Sequence, residues 1–343
     1  MTSCLTWLDR LPINVFLPYL WLFHMTSLLE QESVAINITT MTSESVEGMR
    51  LYMKDDQDAY ILYREAHLPI DQNDIERLKE RGVRWLYIDQ SSKEIYRERM
   101  TQIAFGDTPV PTSMRIAAIS GIVREAMEKS FSTNDVDTIC KATKTLSNVA
   151  TDMICREDVA LKDILPVLHH DYGTFTHSTN VSYYSGVLAD ALGYSREDVE
   201  HIVRGALLHD LGKLDIDIKI LNKPDKLTER EFRVIKRHPT QGFLRLSGQP
   251  GISHGQLMMT YQHHEKLDGT GYPVGIGGDE IHPWAKICSV ADVFEALTSH
   301  RPYRKPMPNS SALALLERGI GNTFDGEIVS CWTSLIKKNL TLS

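Results

Sequence analysis

The placement of histidines constrains this chain more than any other feature. Eleven of its 13 histidines lie after residue 168, and the doublets His209–Asp210 and His263–His264 stand among them. His177, His238 and Asp292 sit singly on or near further segments whose apolar residues recur at helical spacing. A bundle with these helices around one pocket would gather five imidazoles and two carboxylates. Neighbouring residues on a helix diverge by about 100°, so both members of a doublet can face one cavity only at its edge. Imidazole with carboxylate suits iron, manganese, nickel or zinc, and the lack of nearby cysteines argues against a structural zinc site. Asp210 has two carboxylate oxygens and can bridge two cations. Two metals about 3.5–4 Å apart can stabilise both oxygens of an in-line phosphoryl displacement. Taken alone, a histidine is more often a hydrogen-bonded core or surface residue, and His201, His254 and His300 read that way. The two doublets together on apolar helices make that reading poor for the rest.

The surrounding pattern expects a mainly α chain with a small α/β part in front. Residues 1–44 read as an N-terminal extension and 45–105 as a small α/β module. Within the module RLYMK and YILYREA have β character, QNDIERLKERG suits a helix ending at Gly82, and VRWLYID reads as a strand. SSKEIYRERMTQIA suits a helix starting at a serine cap. The PVP at 109–111 marks a boundary. Residues 106–160 read as a helical connector, either a dimer seam or a pair of helices packed on the next domain. Residues 161–340 form that second, helical domain. There REDVEHIVRGALLHDLGKL is expected to stay helical as far as Gly212, TEREFRVIKRH starts at a cap-like Thr228, and LDGTGYPVGIGGDEIH is a glycine-rich loop.

Charge and cysteine usage narrow the function. A formal net charge of −8 argues against DNA or other long nucleic-acid duplexes as partners. It leaves room for a small phosphorylated ligand held by local cations. Cys4, Cys140, Cys155, Cys288 and Cys331 form no CxxC pair and read as reduced thiols of a cytoplasmic protein. The apolar stretch LPINVFLPYLWLF at 11–23 is shorter than the roughly 20 residues of a spanning helix, and Pro12 and Pro18 interrupt it. Met25, Met41 and Met49 are alternative starts.

Five segments, THSTNV, LLHDLGKL, IKRHP, HHEKLDGTGYPVGIGGDEI and SVADVFEALTSHRPYRK, resemble in order the HD-GYP family, a subgroup of the HD-domain metal-dependent phosphohydrolases. The likeness covers roughly residues 165–325. The module ahead of it resembles the small domain often found before HD-GYP domains. The resemblance implies an HD-type helical bundle as the catalytic domain at 161–340, with 45–105 as its regulatory module. It implies one metal held by His177, His209, Asp210 and Asp292, with Asp210 bridging to a second held by His238, His263 and His264. The two divalent ions would be iron or manganese first, then nickel or zinc. Lys213 would reach the phosphate or the bridging hydroxide, and Arg301 and Arg304 would contact phosphate. Gly271, Tyr272 and Pro273 would form a lip over the substrate or a surface for a partner diguanylate cyclase. The implied substrate is a cyclic dinucleotide, cyclic di-GMP first, giving pGpG and then GMP, with 3'3'-cyclic GMP–AMP as the alternative.

Two departures bear on this. Some family members support a third metal with a glutamate four residues before the first histidine; here that position is Gly173, which favours two metals. His282 stands where the family usually has proline. A catalytically silent sensor or adaptor would be expected to lack a ligand, and none of the seven is missing. A nucleotide phosphohydrolase of the wider HD group would not need the second-metal residues or the GYP loop.

Overall fold

In WLYID, aliphatic residues alternate with others that can tolerate water, the pattern of a strand with one buried face. As strand β4 (Trp85–Asp89) this segment buries Leu86 and Ile88. It lies between β1 (Ser33–Asn37) and β2 (Leu51–Lys54), and β3 (Tyr60–Arg64) completes an antiparallel sheet of order β1-β4-β2-β3. β1 falls within residues 1–44, where the sequence pattern alone predicts no element. Helix α1 (Gln72–Glu80) begins at a reciprocal cap between Asp71 and Asp74. The chain turns out of it at Gly82, whose φ of 77° needs a residue without Cβ strain. Ile75 and Leu78, one turn apart, join Ile36, Leu51, Leu86 and Ile88 in the core of this unit.

The structure is a computed structural model. It describes residues 33–340 except 39–40, 56–58, 84, 108, 157–163, 165–173, 222, 224 and 300–304. The chain divides into two compact units, Met1–Tyr96 and Arg97–Ser343. The apolar stretch at 11–23 and Cys4 lie outside the described residues; among those described, no helix is long and apolar enough to cross a membrane. The described cysteines, Cys140, Cys155, Cys288 and Cys331, are all free.

Helix α2 (Lys93–Phe105) follows a 3-10 turn at Gln90–Ser92 rather than a serine cap. The second unit is helical: α3 (Thr112–Ser132), α4 (Val136–Ile154), α5 (Thr174–Ala191), α6 (Arg196–Leu208), α7 (Glu229–Ile235), α8 (His238–Leu246), α9 (His254–Gln262), α10 (Pro283–Thr298), α11 (Asn309–Arg318) and α12 (Gly326–Leu340). α3 and α4 pack on α5 and α6 with Ile116, Val123, Met127, Ile139 and Ala150 buried. Buried Arg204 of α6 reinforces this packing by donating to the carbonyl of Cys140 at 2.8 Å.

Two devices bring the helices that carry the histidines into register. Tyr184 of α5, Phe294 of α10 and Trp332 of α12 form a buried aromatic triangle with centroids 5.1–5.7 Å apart. Such contacts stabilise by about 0.5–1.5 kcal/mol per pair beyond area burial. They lock together the two helices that hold His177 and Asp292. Gly212, in the 3-10 turn Leu211–Asp215, is the second device: a Cβ there would stand 2.0 Å from the carbonyl oxygen of His238 and 2.5 Å from the amide of Gly242. Only hydrogen at this position lets the turn after Asp210 approach the start of α8. Gly212→Ala is therefore expected to lower stability by about 1–3 kcal/mol, as overpacking of a tight interior does. An unchanged denaturant midpoint would show that the turn can move aside.

Candidate metal centre

The helix expected to run to Gly212 ends instead at Leu208. His209 caps it, and Asp210 starts the 3-10 turn. His263 likewise caps α9. Adjacent residues share the cavity where a helix ends at each doublet, and Asp210, with φ −97° and ψ 10°, has left helical geometry. His238 opens α8 immediately after the end of α7.

At these helix ends, backbone carbonyls of the last turn orient the rings. Nδ1 of His209 lies 2.6 Å from Ala206 O, and Nδ1 of His238 lies 2.8 Å from Ile235 O. Nδ1 of His263 lies 3.0 and 3.1 Å from Thr260 O and Met259 O. Each carbonyl can only accept, so each Nδ1 donates and each Nε2 presents a lone pair. These lone pairs converge on Asp210. Its Oδ1 lies 3.3 Å from His238 Nε2 and 4.0 Å from His263 Nε2. Its Oδ2 lies 3.4 Å from His209 Nε2 and 3.6 Å from His177 Nε2. Asp292 turns Oδ1 to His177 Nε2 at 3.0 Å and Oδ2 toward His264 Nδ1 at 3.9 Å.

All seven sequence-predicted ligands thus meet in one place. His177, His209 and Asp292 offer donor atoms within 4.8 Å of one another, as do His238, His263 and His264; a third such group, His209, Asp210 and His263, joins them. The donors fit divalent cations. His209 Nε2 and Asp210 Oδ1 are buried without a hydrogen-bond partner, and Nε2 of His238 and His263 face each other at 3.2 Å. Lone pairs at that separation repel unless a positive charge lies between them.

Burial, opposed by Asp210, pushes His238 down to about 3. It pushes His264 down to about 4 against the pull of Asp292, and carries His263 well below the usual imidazole range. These rings are neutral at pH 7, the form that ligates metal. Burial alone would raise the pKa of Asp210, but His209 and Lys213 hold it well below the carboxylate range. Asp292 is held down by His177 in the same way, against the same opposing burial. For His177 burial is again the largest influence, yet Glu295 and Asp292 outweigh it and raise the ring to about 9. A field that retains a proton there would also retain a cation.

Lys213 sits beside the centre, with Nζ 2.5 Å from Asp210 Oδ2. Tyr272 leans its ring over His264 at 4.7 Å between centroids, and Lys236 Nζ lies 5.0 Å from the far end of this stack, at the Tyr272 ring. Gly271 permits this approach, since a Cβ would come within 2.5 Å of Glu265 Cα. Pro273 follows Tyr272 in the same turn, and Val274 beyond it is exposed. Arg301, Arg304 and Gly173 lie outside the described residues.

Two buried carboxylates do not stand out in the sequence. Glu265 accepts from the amides of Val274 at 2.7 Å and Gly275 at 3.0 Å, and so clamps the glycine-rich loop. Glu295 accepts from His177 Nδ1 at 2.5 Å. The one signal for them is spacing: Glu265 follows a doublet directly, and Glu295 lies one helical turn after Asp292.

Residues 162–328 match the family of HD domains. The chain is 44% identical over 163 residues to the cyclic di-GMP phosphodiesterase response regulator RpfG of Xanthomonas campestris, covering 47% of this chain and 43% of that one. It is 42% identical over 172 residues to 3'3'-cGAMP-specific phosphodiesterase 3 of Vibrio cholerae, covering 49% of this chain and 36% of that protein. The chain therefore spans about two fifths of the length of these curated relatives. In fold it resembles Bd1817, an HDG"Y"P protein from Bdellovibrio bacteriovorus, with a TM-score of 0.66 and 21% identity over 89% of this chain and all of that one.

The donor atoms group on both sides of the Asp210 carboxylate. Elemental analysis of protein purified without oxygen is expected to find two divalent ions per chain. Three fully occupied sites would contradict it.

Proposed function

Residues 162–328 make this chain a member of the HD-domain family, with the motifs of its HD-GYP branch, and from that premise we propose that it hydrolyses a phosphodiester bond of a cyclic dinucleotide, cyclic di-GMP first. The observation that carries the reading is the carboxylate of Asp210, one oxygen turned to each imidazole group. His177, His209, Asp210 and Asp292 would hold one divalent ion; Asp210, His238, His263 and His264 would hold the other. Such a pair supplies Lewis acidity to the phosphate and lowers the pKa of a water. In the hydrolysis the water oxygen bonds to phosphorus, the ribose 3' oxygen leaves with a proton, and the ring opens to pGpG; a second cut gives GMP.

The chain's own groups divide the work. Asp210 keeps both halves of the site at one separation and offsets their positive charge. Lys213 brings a cation beside Asp210, where it can pair with a phosphate oxygen. The carbonyls of Ala206, Ile235 and Thr260 accept from Nδ1 and so aim each Nε2 inward, and the neutral rings of His238 and His263 need expel no proton before they ligate. Tyr272 faces inward against His264, which supports the substrate-lip role for the loop over that of a surface for a partner cyclase. Arg301 and Arg304 remain assigned to phosphate on their family positions.

The relatives divide between cyclic di-GMP and 3'3'-cGAMP in the activities their names state, so both nucleotides belong in the assay. Asp210→Ala is expected to lower turnover of the preferred substrate at least about a thousandfold, the scale on which loss of a major electrostatic element acts. Lys213→Ala should act mainly through the same reacting centre with a smaller loss. Near wild-type hydrolysis by folded Asp210→Ala protein would remove the shared-carboxylate mechanism.

A further inference from the structure

We propose that Glu295 is a positioning residue for the metal centre: it fixes the tautomer and ring direction of His177, and Asn180 and Ser299 hold it in place. The inference rests on the two-metal reading above and adds to it a residue outside the ligand set.

The need for such a residue comes from where His177 sits. His209 and His263 cap helix C-terminal ends and His238 follows the end of α7, so each Nδ1 meets a carbonyl of the helix just ended. His177 lies on α5 (Thr174–Ala191), and its Nδ1 takes its acceptor from another segment. Glu295 of α10 supplies it, with Oε2 2.5 Å from His177 Nδ1. The other ring nitrogen meets Asp292 of the same helix at 3.0 Å. The imidazole is thus clamped between two carboxylates one turn apart on α10.

Their roles differ, and the geometry says how. Asp292 belongs to a group of donor atoms within 4.8 Å of one another, whereas Glu295 belongs to none of those among the described residues. The oxygens of Glu295 are already engaged. Oε1 accepts from Asn180 Nδ2 at 3.1 Å and from Ser299 Oγ at 2.5 Å, while Oε2 takes the imidazole. Asn180 stands three residues after His177 on the same face of α5, so both donors reach Glu295 together. Ser299 closes α10. With these donors on it and 1% of its surface exposed, the carboxylate is locked in one rotamer. A carboxylate is also a stronger acceptor than a carbonyl, which makes the His177 lone pair a better donor to metal.

The test is titration of metal-free full-length protein with Mn²⁺ by calorimetry, with Co²⁺ visible absorption as a report on ligand geometry. Wild type should take two ions. Glu295→Ala should weaken one of the two by about 10–100-fold, the range for loss of an outer partner of a ligating histidine, and leave the other unchanged. Its Co²⁺ spectrum should change at that site alone. Glu295→Gln keeps the volume and a neutral acceptor, and should lose less affinity than Glu295→Ala. That variant also serves if Glu295→Ala does not fold. If wild type takes two ions and both variants bind them with wild-type affinity, the positioning role is wrong while the two-metal reading stands. If both sites weaken together in proportion to a lowered melting temperature of metal-free protein, Glu295 is only a tie between α5 and α10, and the proposal fails. If wild type itself takes fewer than two, the two-metal reading falls first.

Discussion

Asp210 holds a negative charge in an interior that excludes water, and most of the second unit is arranged around that fact. An unpaired buried carboxylate costs several kcal/mol and would protonate instead. Here the charge persists beside the Lys213 ammonium, 2.5 Å from Oδ2, while the imidazole nitrogens of His209, His238 and His177 within 4 Å leave it open to further positive charge. The imidazoles in turn could not be buried neutral and face to face without something positive between them. Carboxylate and imidazole groups therefore require one another, and together they define a cavity suited to cations.

The scaffold meets this requirement by ending helices at the site. A helix interior offers no spare acceptors, and its residues fan outward at about 100° intervals. The C-terminal ends of α6, α7 and α9 offer both a change of backbone direction and carbonyls of the last turn. Three of the five rings take their orientation from them. His177 of α5 takes its orientation from a side chain instead. The aromatic triangle of Tyr184, Phe294 and Trp332 fixes the spacing between α5 and α10 on which that contact depends. Gly212 fixes the spacing between the Asp210 turn and α8. Neither device touches the reacting groups, yet each sets a distance between them.

The glycine-rich loop is held by buried charge as well. Glu265 directs its carboxylate at two backbone amides of the loop, which draws Tyr272 inward over His264. Lys236 then lies over the Tyr272 ring. The loop thus closes one side of the centre with an aromatic surface flanked by a cation, a suitable wall for a planar, phosphorylated ligand.

Much of this is legible in the sequence, because residue type and spacing carry it. Helical periodicity, the Thr228 cap and the alternation in WLYID depend on local geometry, and they place α7, α10 and β4 with little error. The seven ligands are legible because imidazole and carboxylate doublets on apolar helices rarely serve packing alone, and their order matches a family. The helix end at Leu208 is not legible: LLHDLGKL has a helical pattern, and the turn at Asp210 is imposed by the approach of α8 to Gly212. Nor is β1, whose pairing with β4 sets Ser33 against Asp89, far along the chain. Glu265 and Glu295 look like ordinary acidic residues, since a carboxylate shows its role only through the donors brought to it. The sequence by itself determined which atoms could bind a cation, because that is a property of side-chain chemistry. Only the tertiary structure decided which way each of them points, because direction comes from the carbonyl, amide or carboxylate that another segment sets behind it.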